Sequence, residues 1–180
     1  MRPGADEPEE IVWEGKFIAA KRRGKWEYVS RTRGVSAAVI LAIDANENGG
    51  DVILVEQYRV PLGAWCLELP AGLIGDGEEG EEAEAAAIRE LEEETGYRAG
   101  RMTDLGRFHA SPGMSSEGFT LLRAEGLTRV GEGGGVSGED IAVHRVKLEE
   151  VPAFVAARRA EGVAVDSKVL LLLGSELLGP

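Results

Sequence analysis

A chain of 180 residues with 43% hydrophobic and 29% charged positions has the make-up of one globular domain with room for a small appended unit. Its formal charge of −12 excludes a nucleic acid gripped through many phosphates, yet admits a small phosphorylated ligand accompanied by metal cations. Cys66 is the sole cysteine and no signal peptide or membrane-length apolar run is present, which excludes an intrachain disulfide and a membrane partner and makes the cytoplasm the expected compartment.

Residues 1–10, acidic and with two prolines, are expected to form a flexible tail. Residues 11–22 and 25–31 read as two strands joined at Arg23-Gly24, so that 11–33 makes a small N-terminal antiparallel β subdomain and 34–180 the main domain. The apolar run 35–43 has the length and continuity of a strand buried on both faces. Strands follow over 51–58 and 65–69, the second stopping at Pro70-Ala71-Gly72. A glycine-rich acidic loop leads into the clearest helix, 81–95, closed by Gly96. Further strands are predicted over 101–109, 120–125 and 141–147, with a mobile glycine-rich loop at 126–138. Helices over 148–160 and 167–178 end the chain, so the fold class is α/β, a mixed central sheet covered by helices.

Within the main helix, Glu90, Glu93 and Glu94 fall inside an arc of roughly 100°, while Ile88 and Leu91 turn toward the core. Three carboxylates on one edge repel each other unless a cation sits among them. Hard divalent cations prefer oxygen ligands and would supply that charge. Taken alone, the pattern is equally a solvated acidic face.

The wider spacing separates these readings. Gly75, Glu81, Arg89-Glu90-Leu91, Glu93-Glu94 and Gly96-Tyr97, spread over 23 residues, resemble the complete Nudix box. The resemblance implies the Nudix α/β/α sandwich and a hydrolase that uses Mg²⁺ or Mn²⁺. It makes Glu90, Glu93 and Glu94 the metal ligands, with Glu81 from before the helix and the Ala71 carbonyl from the Pro-Ala-Gly turn. Arg89 would orient a glutamate, and Glu93 or Glu94 could also serve as base. In the family the glycine usually follows the strand directly, as Gly72 does. Counting from Gly72 points to Glu78, so the loop reads as carrying a three-residue insertion, with Glu81 the first-loop ligand and Glu78 the alternative.

Pro112, about fifteen residues after the box, and the Ser116-Glu117 that follows resemble the ADP-ribose pyrophosphatase subfamily, which makes Glu117 the expected general base. By the same resemblance the N-terminal sheet joins two subunits in a homodimer, and Trp26 stacks on adenine. Arg31 and Arg59 then contact phosphates, while Glu68 and Glu139 stand near the metals or at the rim. Trp26 reads equally as an interface or core residue. The expected reaction cleaves the pyrophosphate of ADP-ribose to AMP and ribose 5-phosphate. GDP-mannose and other nucleoside diphosphate sugars are the nearest alternatives. A non-catalytic nucleotide sensor is disfavoured because the carboxylates are all kept, and hydrolysis of oxidised nucleoside triphosphates because of the extra strands and Pro112. His109 and His144 lack zinc spacing and are expected to be structural.

Overall fold

The computed structural model describes residues 6–32, 34, 36–44, 49–74, 82–136, 138–174 and 177. Strands β1 (Glu9–Glu14), β2 (Ile18–Arg23) and β3 (Trp26–Arg31) pair antiparallel into a three-stranded sheet. The single strand expected over 11–22 is thus two strands. They part at Gly15-Lys16-Phe17, where the Gly15 N–H donates to the Ile18 carbonyl at 2.9 Å and closes a tight turn. Glu9 and Glu10, expected within a flexible tail over 1–10, lie opposite Arg23 and Arg22 in the ladder, and residues 1–5 lie outside the described residues. Opposite charges support that register: Lys21 reaches Glu9 at 2.8 Å and Arg22 reaches Glu10 at 2.7 Å.

The main body follows with β4 (Ala37–Asp44), β5 (Asp51–Arg59), β6 (Ala64–Glu68), β7 (Ala71–Leu73) and helix α1 (Ala83–Thr95). Then come β8 (Tyr97–Arg98), β9 (Arg101–His109), β10 (Gly118–Glu125), β11 (Thr128–Arg129) and β12 (Ala142–Lys147). Helix α2 (Val151–Ala160), entered through a 3-10 turn at Leu148–Glu150, and β13 (Ala164–Val165) complete the regular elements. Of the expected helix over 167–178, Ser167–Leu172 is a 3-10 segment opened by Asp166, which accepts the Lys168 N–H at 2.8 Å, and residues 175, 176 and 178 lie outside the described residues. Only Val169 is buried there, so no apolar stripe holds an α-helix against the core.

The large sheet runs β13-β6-β5-β4-β10-β9, with β12 on β5 and β7 on β4. It is mixed: β10 lies parallel to β4, whereas β5 runs antiparallel to β6 and β12. Alternate residues explain why both faces are covered. Val39, Val52, Leu54 and Leu121 pack with Val151 and Val155 of α2 in one core, while Ile40, Ile53 and Leu122 pack with Ala87 and Leu91 of α1 in the other. Two cores on one sheet make the α/β/α sandwich. Among the described residues, no helix is long and apolar enough to cross a membrane.

The stretch 126–138, predicted to be mobile, is tied to the end of α1. Strand β11 pairs with β8, and the N–H groups of Gly134 and Gly135 donate to the carbonyls of Glu94 and Glu93 at 2.8 and 3.0 Å. Its glycine content reflects a close approach to the carbonyls that a helix leaves free at its C-terminal end.

Candidate active site

Glu68 at the end of β6, Ala71 and Gly72 of β7, and the cavity-facing edge of α1 surround a cavity of about 610 Å³. Helix α1 is oriented by burial of Ala86, Ala87 and Leu91, which leaves Glu90 and Glu94, one turn apart, facing β7. Gly72 is the local reason that Glu90 fits: a methyl group at position 72 would overlap the Glu90 carboxyl carbon. Glu94 is 6% exposed, and its Oε2 accepts the Ala71 N–H at 3.1 Å.

Burial pushes the Glu94 carboxyl up to about 8, with the Ala71 N–H only partly opposing the shift. Burial also raises the Glu90 carboxyl, against the pull of the Arg89 guanidinium. Such groups favour either a proton or a bound cation, and their all-oxygen chemistry suits a hard divalent ion. Glu93 turns aside instead. Arg89 Nη1 donates to Glu93 Oε2 at 3.1 Å, within the reach that the four-residue spacing predicts, and to Glu90 Oε1 at 2.8 Å. Among the described residues, no group of three or more His, Cys, Asp or Glu side chains is drawn together as a metal cluster. Glu81, Glu78 and Gly75 lie outside the described residues.

Opposite the helix, each arginine is met by a carboxylate. Arg59 makes a two-pronged contact with Glu68, Nε and Nη2 both at 2.6 Å, and the Glu68 side chain is only 6% exposed. Glu117 Oε1 accepts from Arg31 Nε at 2.7 Å and Nη2 at 2.6 Å. The Glu117 loop is held to the N-terminal sheet: the Val29 N–H donates to the Met114 carbonyl at 2.9 Å, and the Ser116 N–H to the Val29 carbonyl at 3.0 Å. Glu139 also lines the cavity, close enough that its charge helps raise both Glu90 and Glu94.

The structure therefore brings Arg31, Arg59, Glu68, Ala71, Glu90, Glu94, Glu117 and Glu139 to one cavity. Trp26 lies elsewhere: it is 52% exposed and borders a separate depression of about 260 Å³ with Tyr28, Pro112 and Gly113. Sequence reasoning missed Gln57, Phe119, Asp166 and Lys168, which also line the cavity. Lys168 Nζ bonds Asp166 at 2.8 Å and lies 5.7 Å from the Phe119 ring centre. An Asp-Ser-Lys cap is visible in the sequence, but its place at the site depends on β13 pairing with β6, a contact without a local signature.

The family model for the NUDIX domain matches residues 32–165. The ADP-ribose pyrophosphatase of Haemophilus influenzae is 32% identical over 171 residues, covering 86% of this chain and 74% of the relative. The mouse ADP-sugar pyrophosphatase is 45% identical over 104 residues, half of this chain, and the match spans 46% of that protein's length. A solved structure of an ADP compounds hydrolase superposes with a TM-score of 0.65 at 21% identity, over 96% of this chain and 92% of the other, a likeness of fold.

Proposed function

The chain belongs to the NUDIX family, and on that premise we propose that it hydrolyses the pyrophosphate linkage of ADP-ribose to AMP and ribose 5-phosphate. The observation that carries this reading is the composition of the cavity. Six carboxylates (Glu68, Glu90, Glu94, Glu117, Glu139 and Asp166) and three cations (Arg31, Arg59 and Lys168) line it among the described residues. A diphosphate would be repelled by that excess of acid unless divalent cations entered with it.

Glu90 and Glu94, with Glu93, the Ala71 carbonyl and Glu81, would hold Mg²⁺ or Mn²⁺. Bound there, the metal would neutralise phosphate charge and lower the pKa of a bound water. The chain's own residues supply the rest. Arg89 restrains Glu90 and Glu93 and so limits how far the ligands spread. Arg31 and Arg59 would be the phosphate contacts, and a phosphate would have to compete there with Glu117 and Glu68, to which they are paired.

That arrangement bears on the general base. Glu117 Oε1 receives two donors from Arg31. Glu139 stands where its charge reaches Glu90 and Glu94. We assign the base to Glu139, which lines the cavity and whose Oε2 accepts the Val136 N–H rather than an arginine, with Glu117, the base expected from the sequence, and Glu93 or Glu94 as the alternatives. Residues 11–33 would form a dimerising β subdomain and 34–180 the catalytic domain, with Trp26 serving the nucleobase in the dimer. A lone cysteine that is buried fits a cytoplasmic protein.

The test is phosphatase-coupled phosphate release from ADP-ribose, GDP-mannose, UDP-glucose and 8-oxo-dGTP, each with Mg²⁺, Mn²⁺ or EDTA. ADP-ribose is expected to be preferred and EDTA to abolish turnover; preference for another nucleotide sugar would overturn the adenine assignment. Glu139→Gln should lower kcat by about 10²- to 10⁴-fold, the usual worth of a general base. If Glu117→Gln does so instead, the base is Glu117.

A further inference from the structure

The C-terminal turn of α1 and the loop 131–135 approach each other backbone to backbone. Gly131 donates its N–H to the Gly96 carbonyl at 3.1 Å, alongside Val130 at 2.8 Å, and Gly134 and Gly135 take the carbonyls of Glu94 and Glu93. No side chain fits between the two segments. A methyl at Gly133 would overlap the Thr95 carbonyl carbon and lie 2.8 Å from the Glu94 carbonyl oxygen. One at Gly96 would overlap the Gly131 carbonyl and lie 2.8 Å from the Gly133 nitrogen. Every atom met is main chain, so neither side can yield by rotating a side chain. Gly133 also has φ +71°, which an L side chain resists.

Beyond this contact the chain is short and hydrogen-bonded. The Glu139 N–H donates to the Val136 carbonyl at 3.0 Å, and Glu139 Oε2 accepts the Val136 N–H at 3.1 Å. Gly135 lies under the Glu139 carboxylate, where a methyl would come within 2.5 Å of Oε2. The helix thus brings Glu90 and Glu94 to the cavity from one side, and the loop brings Glu139 to it from the other.

We propose that Gly133 is a positioning residue: its close seat against Thr95 fixes the spacing between the helix carboxylates and Glu139, so cation binding and hydrolysis both depend on it. The inference rests on the metal-site reading above. Glu94 belongs to the turn that Gly133 abuts, so a main-chain shift there would move a metal ligand as well as the base Glu139 relative to the cation.

The experiment is Mn²⁺ binding to the full chain, followed by loss of the free-ion electron paramagnetic resonance signal, beside thermal melting and ADP-ribose turnover. Gly133→Ala is expected to weaken Mn²⁺ binding at least about tenfold, the usual cost of disturbing the groups that orient metal ligands. Gly106→Ala is the control. Its φ is +104° with open space around it, so it should lower the melting temperature while leaving Mn²⁺ affinity unchanged. Unaltered Mn²⁺ affinity in Gly133→Ala would overturn the proposal, whatever its melting temperature. Should Gly133→Ala fail to fold, Gly135→Ala, also at positive φ (+81°), places a methyl against the Glu139 carboxylate, its Cβ and Ile141 Cδ1 rather than against main chain, and so displaces Glu139. It should then lower kcat about tenfold with KM little changed, and an unchanged kcat overturns the proposal. A wild-type chain that binds no Mn²⁺ overturns the metal-site reading and this proposal with it, so the two failures are told apart by the wild-type titration.

Discussion

Glu90 sits in the space that a side chain at position 72 would need, so a half-buried carboxylate there requires the smallest residue opposite it. Gly72→Ala forces Glu90 away from β7. Since the displaced atom ends a flexible side chain, the fold should tolerate the change while the site does not. Metal-dependent turnover is expected to fall on the order of 10²-fold, the cost of misplacing a catalytic group by about an ångström. A melting temperature close to wild type would separate this from unfolding, and turnover within threefold or so of wild type would show that Glu90 is not needed where it sits. At this scale the sequence was most legible where spacing is local. Glu90, Glu93 and Glu94 share a helix, and their relation follows from helical geometry alone. That Glu93 turns to Arg89, or that Arg31 faces Glu117 across 86 positions, follows from contacts no local spacing encodes.

Helix α1 links that local order to the core. Ala87 and Leu91 are fully buried against Ile40, Ile53 and Leu122, on the side of the helix away from the cavity. Leu91→Ala should therefore cost about 2–5 kcal/mol of stability, read as a lower urea midpoint. A loss below about 1 kcal/mol would mean that α1 is not seated by this face. The elements that sequence reading placed well are those with strong apolar runs or clear stops. Strand β4 was visible in the run 35–43, and Gly96 closes α1 with φ +72° as a C-terminal glycine should. Those it missed are short or depend on partners. Strands β7, β8, β11 and β13 span two or three residues each and exist because a neighbouring strand or turn supplies their hydrogen bonds. The break between β1 and β2 falls at Gly15-Lys16-Phe17, a turn that the sequence marks only by a lone glycine, without a proline or a glycine pair.

For the molecule as a whole, the N-terminal sheet leaves a question of burial. Ile11, Val12, Trp13, Phe17, Ile18 and Trp26 are between 43% and 65% exposed. A three-stranded sheet with so many large apolar groups on its surface has more to gain from a partner than from water. A second copy of the chain is the simplest partner, because a two-fold axis lets one patch meet its equivalent. The opposing term is charge: two chains at −12 repel, and salt should screen that repulsion and strengthen association. The wild-type chain, 19.2 kDa as a monomer, is expected to sediment as a species of twice that mass, with the dimer favoured as salt rises toward about 0.15 M. Replacing Trp13 and Phe17 together by Glu should give a 19.2 kDa species with the main domain still folded, because neither residue belongs to either core. If Trp26 serves the nucleobase only in the dimer, the same variant should raise KM for ADP-ribose more than it lowers kcat. A wild-type monomer at every salt concentration would leave the exposed sheet without its partner and sink the dimer. A monomeric variant with unchanged KM would keep the dimer and remove Trp26 from the substrate site.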